Sequence, residues 1–385
     1  MPGKAKKSKS SSKTSKRKGI SRKSTKGAKS LSLNPQLEVI KKKVIEFLSL
    51  KDTKRVAIVA DNDQDGMTSA IQMQKFLLSK RVDTHVFFYD HYSRSFSFPQ
   101  GTFHNFSPEK TIFLDLNEGF ISDILLQIGK ATGPFLVIDH HQGDVIRNNS
   151  YRCLVIKPKS FSEVEPSRYP VTKMVYDLFG GVDWICCVGI IGDFAFEQWA
   201  DFLKETEKKY KITNSRMREV DDLVACVTAQ YPEKINSLFE FLCKAKSPKE
   251  VISSEFFALK KLFDSKIAVQ KKLYYETAEC YEDVGACFFH CDHRISSKLS
   301  NIISIENPHK VILIFEQPGN KIKCSIRRQD FKVNCGDLAK IGVAGTTQGK
   351  GGGHIPAAGA TFPAEYLEEF KKRVRLSLLQ NPPKA

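Results

Sequence analysis

Three aspartates are closely spaced in the segment Asp61-Asn62-Asp63-Gln64-Asp65-Gly66. In an extended chain, the side chains of residues i, i+2 and i+4 point to the same side. Carboxylates held this close repel one another and raise each other's pKa unless a cation neutralises them. The segment therefore predicts a cation site, with an acidic surface turn as the alternative. A calcium loop is disfavoured, because Gln72 stands where that motif requires glutamate.

Two further candidate ligand groups each follow a short apolar run. Asp115 comes directly after Thr111–Leu114, and Asp139-His140-His141 comes directly after Phe135–Ile138. The first aspartate segment likewise follows an apolar run at 55–60. Because the carboxyl ends of parallel strands meet in one ligand-binding crevice, these three endings predict a shared site.

A fourth candidate is Asp193, which lies in the apolar segment Val188–Phe196. An aspartate buried there without a partner would be costly. A cation would remove that cost, and so would a helix cap or a buried pair with Arg or Lys. Taken alone, this residue does not decide between the three.

The elements around these residues predict a two-domain α/β protein. Apolar strands that alternate with helices are typical of a parallel sheet covered on both faces. The interpretation is an N-terminal parallel-sheet domain, a helical bridge and a smaller C-terminal α/β domain. The predicted bounds are a basic tail at 1–32, the parallel-sheet domain at 33–205, the helical connector at 206–282 and the C-terminal α/β domain at 283–385.

Individual elements follow from the apolar periodicity. Helices are predicted at 67–79, 121–128, 184–199, 216–229, 234–244, 253–282 and 364–379, and strands at 55–60, 85–89, 111–114, 135–138, 286–290, 310–315 and 321–326.

The charge of the chain is unevenly distributed. The 385 residues carry a formal net charge of +17, but the first 30 residues hold twelve of the 60 Lys and Arg and no acidic residue. A segment with so little to bury is predicted to be disordered. Its lysines would suit a nucleic-acid-binding arm that displaces counterions from phosphates, and a solubilising or targeting extension is the alternative.

Membrane and metal–thiolate classes are not expected. No run of about 18 apolar residues predicts a membrane span, and no apolar core follows the N-terminal basic residues. The 10 cysteines have no regular spacing, which favours a reduced intracellular protein over a disulfide framework. Cys287, His290, Cys291 and His293 are spaced too closely for a standard zinc site, and a buried strand is the preferred interpretation.

In their order along the chain, these motifs resemble the DHH phosphoesterase superfamily. Asp-x-Asp-x-Asp-Gly at 61–66, the lone Asp115, Asp-His-His at 139–141 and Gly-x-x-Gly-Asp at 189–193 are similar to its metal motifs. Lys323–Arg328 and Gly351–Ala360 are similar to the Ser-x-Arg and Gly-Gly-Gly-His signatures of the DHH-associated domain. The resemblance covers about residues 34–380 and is greatest to RecJ-type nucleases, in particular their archaeal branch.

The resemblance implies roles for the ligand residues. Asp61 and Asp63 would bind one metal ion, while Asp65, His140 and Asp193 would bind a second. Asp115 would bridge the two. Oxygen and imidazole ligands suit two Mn²⁺ ions, or Mg²⁺.

It also implies roles for groups around the metals. Asp139 would orient an imidazole, and His141 would act near the scissile phosphate as an orienting group or an acid. Gly351, Gly352, Gly353 and His354 would bind a phosphate through backbone N–H groups and an imidazole, with a flexible loop as the alternative. Ser325 and Arg327 would add a hydroxyl and a planar guanidinium, with a solvated strand face as the alternative.

The predicted function is a two-metal phosphodiesterase, a single-strand-specific exonuclease acting on DNA and on RNA in repair or replication. The predicted compartment is the cytoplasm or nucleoid, or the nucleus of a eukaryote. One rival is a DHH enzyme for short oligonucleotides or nucleotide phosphates, whose first motif usually begins with histidine rather than Asp61. The other is a replication scaffold related to the helicase cofactor. The resemblance to archaeal nucleases implies that one chain would combine cleavage with binding to a replication complex similar to GINS.

Overall fold

The computed structural model describes residues 35–90, 95–96, 101–128, 133–141, 152–291, 294–353 and 355–382. The predicted disordered arm at 1–32 and the predicted phosphate ligand His354 lie outside these residues.

Helices and strands alternate through most of the chain. The helices are α1 Pro35–Leu48, α2 Gln64–Ser79, α3 Thr102–Phe106, α4 Glu118–Ile128, α5 Val171–Phe179, α6 Asp183–Gly192, α7 Ala200–Tyr210, α8 Asn214–Gln230, α9 Ile235–Lys244, α10 Pro248–Ile252, α11 Phe256–Thr277, α12 Ser296–Glu306, α13 Cys335–Val343 and α14 Leu367–Gln380. The strands are β1 Arg55–Asp61, β2 Asp83–Asp90, β3 Ser95–Phe96, β4 Lys110–Leu114, β5 Phe135–Ile138, β6 Cys153–Ile156, β7 Glu279–Tyr281, β8 Ala286–His290, β9 Val311–Glu316, β10 Lys321–Arg327, β11 Lys350–Gly353 and β12 Ala357–Pro363.

The first sheet has the strand order β3-β2-β1-β4-β5-β6 and is parallel except for β3. Successive side chains of a strand point to opposite faces, and the core is divided accordingly. Ile58 and Ile112 pack with α1, α2, α5 and α6 on one face, while Val59 and Phe113 pack with α3 and α4 on the other. The sheet is therefore covered on both faces, as its uninterrupted apolar strands predict.

The second sheet has the order β11-β12-β10-β9-β8-β7 and is mixed, since only β8 and β9 pair in parallel. One face packs on α13 and α14 around Phe315 and Phe370. The other packs on α11 and α12 around Phe289 and Ile314. The prediction of a two-domain α/β fold is confirmed, whereas the domain bounds stay a prediction.

Two of the predicted helices differ from the helices of the structure. The predicted helix 184–199 is interrupted, because α6 ends at Gly192 and α7 begins at Ala200. Phe194 has a left-handed backbone with φ 55°, which ends a right-handed helix. The predicted helix 253–282 ends at Thr277, and strand β7 follows at once.

The cysteines are not all reduced. A disulfide joins Cys280 on β7 to Cys287 on β8, two residues that face each other across the antiparallel pair. The expectation of reduced thiols is wrong for this pair, because β7 and its proximity to β8 have no local sequence signal. A disulfide-bonded Cys287 is also unable to ligate zinc, and His293 of that motif lies outside the described residues.

Two ion pairs connect the regions of the two sheets. Arg294 Nη2, just before α12, lies 3.2 Å from Oδ2 of Asp90 at the end of β2. Lys298 on α12 pairs with Asp222 on α8. The first contact joins the carboxyl edge of the first sheet to the residues just before α12. The second joins α8 to α12. Among the described helices, none is long and apolar enough to cross a membrane.

Candidate metal centre

Three strand ends of the first sheet converge as predicted. Strands β1, β4 and β5 are direct parallel neighbours, so their carboxyl ends share one edge. Asp61 is the last residue of β1, and Asp115 and Asp139 directly follow β4 and β5. All three aspartates are buried, with 6%, 2% and 1% of their surfaces exposed. The edge of the sheet therefore collects carboxylates that water does not solvate.

The first aspartate segment turns from a strand into a helix rather than staying extended. Asp63 is the N-cap of α2, and its Oδ1 accepts a hydrogen bond from Gly66 N at 2.8 Å. Gly66 is required by this turn, because a Cβ there would lie 2.3 Å from the Asp61 carbonyl oxygen. The tight turn brings Asp65, in the first turn of α2, back beside the other carboxylates.

Asp65 is fixed by a second helix. Its Oδ2 accepts a hydrogen bond from Val171 N at 2.6 Å and its Oδ1 accepts one from Thr172 N at 2.7 Å. These are backbone donors at the start of α5, where the helix dipole favours a negative charge. The same carboxylate thus links α2 to α5 and faces the other acidic groups.

Asp115 has an uncommon backbone conformation. Its φ is 58°, a left-handed value that non-glycine residues adopt at a free-energy cost and that is concentrated at functional sites. A hydrogen bond of 3.1 Å from its backbone N to the Ile138 carbonyl oxygen holds it in place. The result is that the side chain points toward the residues that follow β5.

His140 lies between two carboxylates. Its Nδ1 is 3.2 Å from the Pro166 carbonyl oxygen, a contact that places a proton on Nδ1 and leaves a lone pair on Nε2. That Nε2 lies 3.4 Å from Asp115 Oδ1 and 3.5 Å from Asp193 Oδ2. Burial, reinforced by the neighbouring His141, lowers the pKa of His140 to about 4. The ring is therefore neutral at pH 7, which is the form that binds a metal.

Asp139 contacts His141 rather than His140. Its Oδ1 accepts a hydrogen bond from His141 Nδ1 at 2.7 Å, and its Oδ2 accepts one from Lys157 Nζ at 2.9 Å. Lys157 Nζ also donates to the His141 carbonyl oxygen at 2.7 Å. Although burial raises it, the pKa of Asp139 falls below its ordinary value because of these two cationic partners. The sequence does not predict Lys157, since only the pairing of β6 with β5 brings it here.

Asp193 reaches the cluster because two glycines allow close helix packing. A Cβ at Gly189 would lie 2.4 Å from Thr68 Oγ1, and one at Gly192 would lie 2.8 Å from Gln64 Cβ. Helix α6 can therefore press against α2, and its C-cap is Asp193. The Gly-x-x-Gly-Asp pattern is explained by this approach.

The cluster is electrostatically unfavourable without a cation. Burial, followed by repulsion from neighbouring aspartates, raises the pKa of Asp65 and that of Asp115 well above their ordinary values. Burial also raises the pKa of Asp193 to about 7. Asp115 Oδ1 and Asp193 Oδ2 accept no hydrogen bond from any described residue. These carboxylate oxygens face a neutral imidazole, and no hydrogen-bond donor among the described residues lies between them. Oxygen and imidazole ligands arranged in this way fit metal ions.

Two groups of ligand atoms are close enough to share an ion. Asp65, His140 and Asp193 form one group, and Asp115, His140 and His141 form the other, each with its atoms within 4.8 Å of one another. The first group is the predicted set for one ion. Asp61 and Asp63 act on the same cluster, because both repel the charge of Asp115.

The predicted phosphate-binding residues lie on the second sheet, where their surroundings are mixed. Ser325 is 9% exposed, and its Oγ is 2.8 Å from Ser300 Oγ on α12. Arg327 Nη2 donates to Ser297 Oγ at 3.3 Å, while its Nε has no hydrogen-bond partner among the described residues. These side chains therefore contact α12 rather than forming a solvated strand face.

The glycine run is a strand, not the flexible loop of the alternative interpretation. Gly351 to Gly353 belong to β11. A Cβ at Gly351 would lie 2.4 Å from the Ala339 carbonyl oxygen, and one at Gly353 would lie 2.5 Å from that of Ala357. These two glycines are required by backbone packing. Around Gly352 there is open space within 4 Å, so this is the glycine of the run that a ligand could approach.

Comparison with known proteins finds structures of the same two-domain α/β fold and one matching domain family. Residues 283–378 match the sequence model of the DHHA1 domain. RecJ of Thermus thermophilus in complex with Mn²⁺ superposes with a TM-score of 0.67 at 14% identity, over 92% of this chain and 56% of that one. A manganese-bound exonuclease RecJ gives a TM-score of 0.63 at 14% identity, over 92% of this chain and 97% of that one.

A third structure, the DHH domain of a protein described as a member of a family of ribosomal proteins, gives a TM-score of 0.69 at 13% identity, over 92% of this chain and 94% of that one. No curated protein matches the sequence.

The fold and the acidic edge define a two-domain α/β protein with a candidate metal centre. The chain has the fold of the RecJ structures, and its residues 283–378 match the DHHA1 domain. The predicted resemblance is thereby confirmed for the fold and for the DHHA1 domain. Membership of the archaeal branch stays a prediction.

Proposed function

We propose that this protein is a metal-dependent phosphodiesterase that hydrolyses single-stranded nucleic acid from an end. The observation that carries the proposal is the contact of His140 Nε2 with Asp115 and Asp193. Three electron-pair donors converge there, and neither Asp115 Oδ1 nor Asp193 Oδ2 accepts a hydrogen bond from any described residue. The likeness in fold to manganese-bound RecJ structures supports Mn²⁺, and Mg²⁺ is the alternative ion.

Two ions would divide the ligands. Asp61 and Asp63 would hold the first, and Asp65, His140 and Asp193 would hold the second. Asp115 would contribute to both. When bound, two such ions activate a water molecule and neutralise charge on the attacking and leaving oxygens of a phosphodiester.

His141 and its neighbours handle a proton beside the phosphate. Burial opposes protonation of His141, but the hydrogen bond from its Nδ1 to Asp139 raises the pKa of the ring above its ordinary value. The side chain is 36% exposed, in contrast to 1% for Asp139. Because Nδ1 is bonded to Asp139, the proton on Nε2 of this partly exposed ring can be donated to a leaving oxygen. Lys157 and Asp139 fix the orientation of the ring.

The DHHA1 domain supplies the grip on the strand. Arg327 offers a guanidinium, and Gly352 offers a backbone that a phosphate can approach. Gly351, Gly353 and Ser325 shape this surface through packing and through the hydroxyl contact to Ser300. His354 would complete the grip.

Digestion of end-labelled strands tests the proposal. Single-stranded DNA and RNA of graded length, and matched duplexes, are incubated with Mn²⁺, with Mg²⁺ and with chelator. We expect metal-dependent release of short products from single strands and little cleavage of duplexes. Cleavage confined to dimers and trimers would favour the short-oligonucleotide rival.

Absence of any cleavage, with behaviour unchanged by Asp63→Ala combined with Asp65→Ala, would favour the replication scaffold. The proposed nuclease would act in repair or replication together with a replication-complex partner. Its proposed location is the cytoplasm, the nucleoid or the nucleus. Affinity capture from the source cells tests them.

A further inference from the structure

The turn after α6 has an aromatic residue where glycine is usual. Phe194 N donates to the Ile191 carbonyl oxygen at 3.1 Å, and Ala195 N donates to that of Ile190 at 3.0 Å. This pair of bonds is the Schellman motif, whose residue C′ has a left-handed backbone and is usually glycine. Here that residue is Phe194, with φ 55°. A bulky side chain at this φ destabilises the fold relative to glycine.

Packing of the turn does not explain the phenylalanine. The hydrophobic contact that accompanies a Schellman motif is made by the residue after C′, and that residue, Ala195, is 2% exposed. Phe194 itself is 46% exposed and so leaves much of its ring in solvent. The strained backbone thus serves to project a ring outward rather than to fill the core.

Two further side chains extend this ring into a small surface. Phe196, 36% exposed, has its ring centroid 6.5 Å from that of Phe194. The guanidinium carbon of Arg218, an exposed residue of α8, lies 5.7 Å from the Phe196 centroid. Two aromatic faces beside a guanidinium combine the groups that stack on nucleobases and attract phosphates.

This surface adjoins the candidate metal centre. Phe194 directly follows Asp193, whose Oδ2 contacts His140. On the other side, burial raises the pKa of Asp221 to about 7. The charge of Asp63 adds to this rise, and the charge of Arg218 opposes it. Asp221 Oδ1 lies 3.0 Å from the place a Cβ at Gly192 would take, so α8 packs against the end of α6. The aromatic pair and Arg218 therefore border the acidic edge.

We propose that Phe194 and Phe196, together with Arg218, form a stacking platform for a nucleobase next to the phosphodiester held at the metal centre. The inference rests on the proposed function and adds a specificity element to it. It gives a role to a ring at a position where glycine would be more stable. A substrate without a base at this position would lose the contact, whereas its phosphates would still reach the metals and Arg327.

Abasic substitution of the substrate tests the platform. Single strands with one tetrahydrofuran residue at the first, second or third nucleotide from the cut end are compared with the unmodified strand in Mn²⁺. We expect the wild type to cleave one of the abasic strands about 10-fold more slowly, since stacking on an aromatic side chain contributes roughly that factor or more. Phe194→Leu should slow cleavage of the unmodified strand by about the same factor and no longer distinguish the two strands. Phe194→Trp should retain the distinction.

A fluorescence measurement adds a readout that does not depend on turnover. A strand with hydrolysis-resistant phosphorothioate linkages carries 2-aminopurine at the nucleotide identified above. Binding to the wild type should quench its fluorescence through stacking, and binding to Phe194→Leu should not. Phe194→Gly should remove the quenching without lowering the Tm, because glycine relieves the left-handed strain. The matched control is Ser49→Gly, since Ser49 also has a left-handed backbone (φ 47°) but lies before β1, at the opposite edge of the sheet.

The outcomes separate the two proposals. If the wild type cleaves no strand, the proposed function fails. If the wild type cleaves strands but treats abasic and unmodified ones alike, or if Phe194→Leu preserves both the discrimination and the quenching, the platform is refuted and the nuclease is not.

Discussion

Nε2 of His140 lies 3.4 Å from Oδ1 of Asp115 across the carboxyl edge of the first sheet. A neutral imidazole and a buried carboxylate at this distance repel through their lone pairs unless something positive lies between them. The proton of the ring is on the other nitrogen, which contacts the Pro166 carbonyl oxygen. Nε2 therefore has no proton to donate to Asp115. This relationship makes the site a candidate for metal binding rather than a structural hydrogen bond.

Asp115→Asn should stabilise the metal-free protein and abolish its response to Mn²⁺. The amide removes one buried negative charge from the cluster, and the Tm should rise by about 2–4 °C for each kcal/mol of repulsion relieved. Addition of Mn²⁺ at about 100 times its Kd should stabilise the wild type by about 2.7 kcal/mol and the variant by much less. Thermal unfolding with and without Mn²⁺ measures both effects. Glu240→Gln, a charge removal on the exposed face of α9, is the control, and a variant that responds to Mn²⁺ like the wild type would count against the assignment.

Gly66→Ala should damage both the fold and the centre. A Cβ there would lie 2.3 Å from the Asp61 carbonyl oxygen, so the strand-to-helix turn must open. We expect a loss of about 1–3 kcal/mol in the free energy of unfolding, together with weaker Mn²⁺ binding because Asp61 and Asp65 move apart. Denaturant unfolding and calorimetric titration with Mn²⁺ measure these. Gly359→Ala, where the nearest atom is 3.8 Å away, should leave stability nearly unchanged; equal losses in both variants would refute the steric explanation.

Lys157→Met should destabilise the protein in a pH-dependent way. A hydrogen bond to a charged group contributes about 1.5–3 kcal/mol, and Lys157 donates one to Asp139. Because the folded-state pKa of Asp139 is lowered from 3.8, its contribution is present above 3.8 and is lost as the pH falls through the lower folded value. The difference in stability from the wild type should therefore be full at pH 6 and shrink below 3.8. Urea unfolding from about pH 2.5 to pH 6 measures it. The control Lys159→Met changes an exposed neighbour, and a difference independent of pH would contradict the pairing.

Arg327→Gln should weaken strand binding mainly by losing a phosphate contact. The salt dependence of the affinity should fall by about one unit of slope, with little dependence on sequence. Fluorescence anisotropy at several salt concentrations measures the slope. Arg375→Gln serves as the control, since Arg375 on α14 pairs with Asp283. A steeper or unchanged slope in Arg327→Gln would remove this residue from the proposed grip.

Deletion of residues 1–32 tests the predicted basic arm separately. If its lysines contact phosphates, the shortened protein should bind single strands more weakly and with a flatter salt dependence. An unchanged slope would return the segment to the role of a solubilising or targeting extension. Metal-dependent cleavage by the shortened protein should persist in either case, because the ligands all lie beyond residue 60.

Strand ends are predictable in this chain, and tertiary partners are not. Asp61, Asp115 and Asp139 each follow an apolar run, and parallel pairing necessarily brings the ends of such runs together. Lys157 carries no comparable signal, because its role depends on β6 lying beside β5. The contact of Asp65 with α5 likewise depends on a helix more than 100 residues away.

The interrupted helix near Asp193 shows the limit of periodicity. Apolar spacing from Trp184 to Trp199 predicts one helix, but a left-handed Phe194 ends it. Glycine at that position would have indicated the end, and phenylalanine does not. The disulfide between Cys280 and Cys287 has no sequence signal for a related reason, since three-residue β7 is too short for an alternation pattern to stand out.

The most direct test of the central claim is an anomalous-difference map from crystals of the protein grown with Mn²⁺. We predict two manganese peaks at the carboxyl edge of the first sheet, one beside Asp61 and Asp63 and one beside Asp65, His140 and Asp193, with Asp115 contacting both. Both peaks should vanish in crystals of Asp115→Asn. An absence of peaks at this edge, or manganese bound elsewhere on the protein, would contradict the assignment of this cluster as a metal centre.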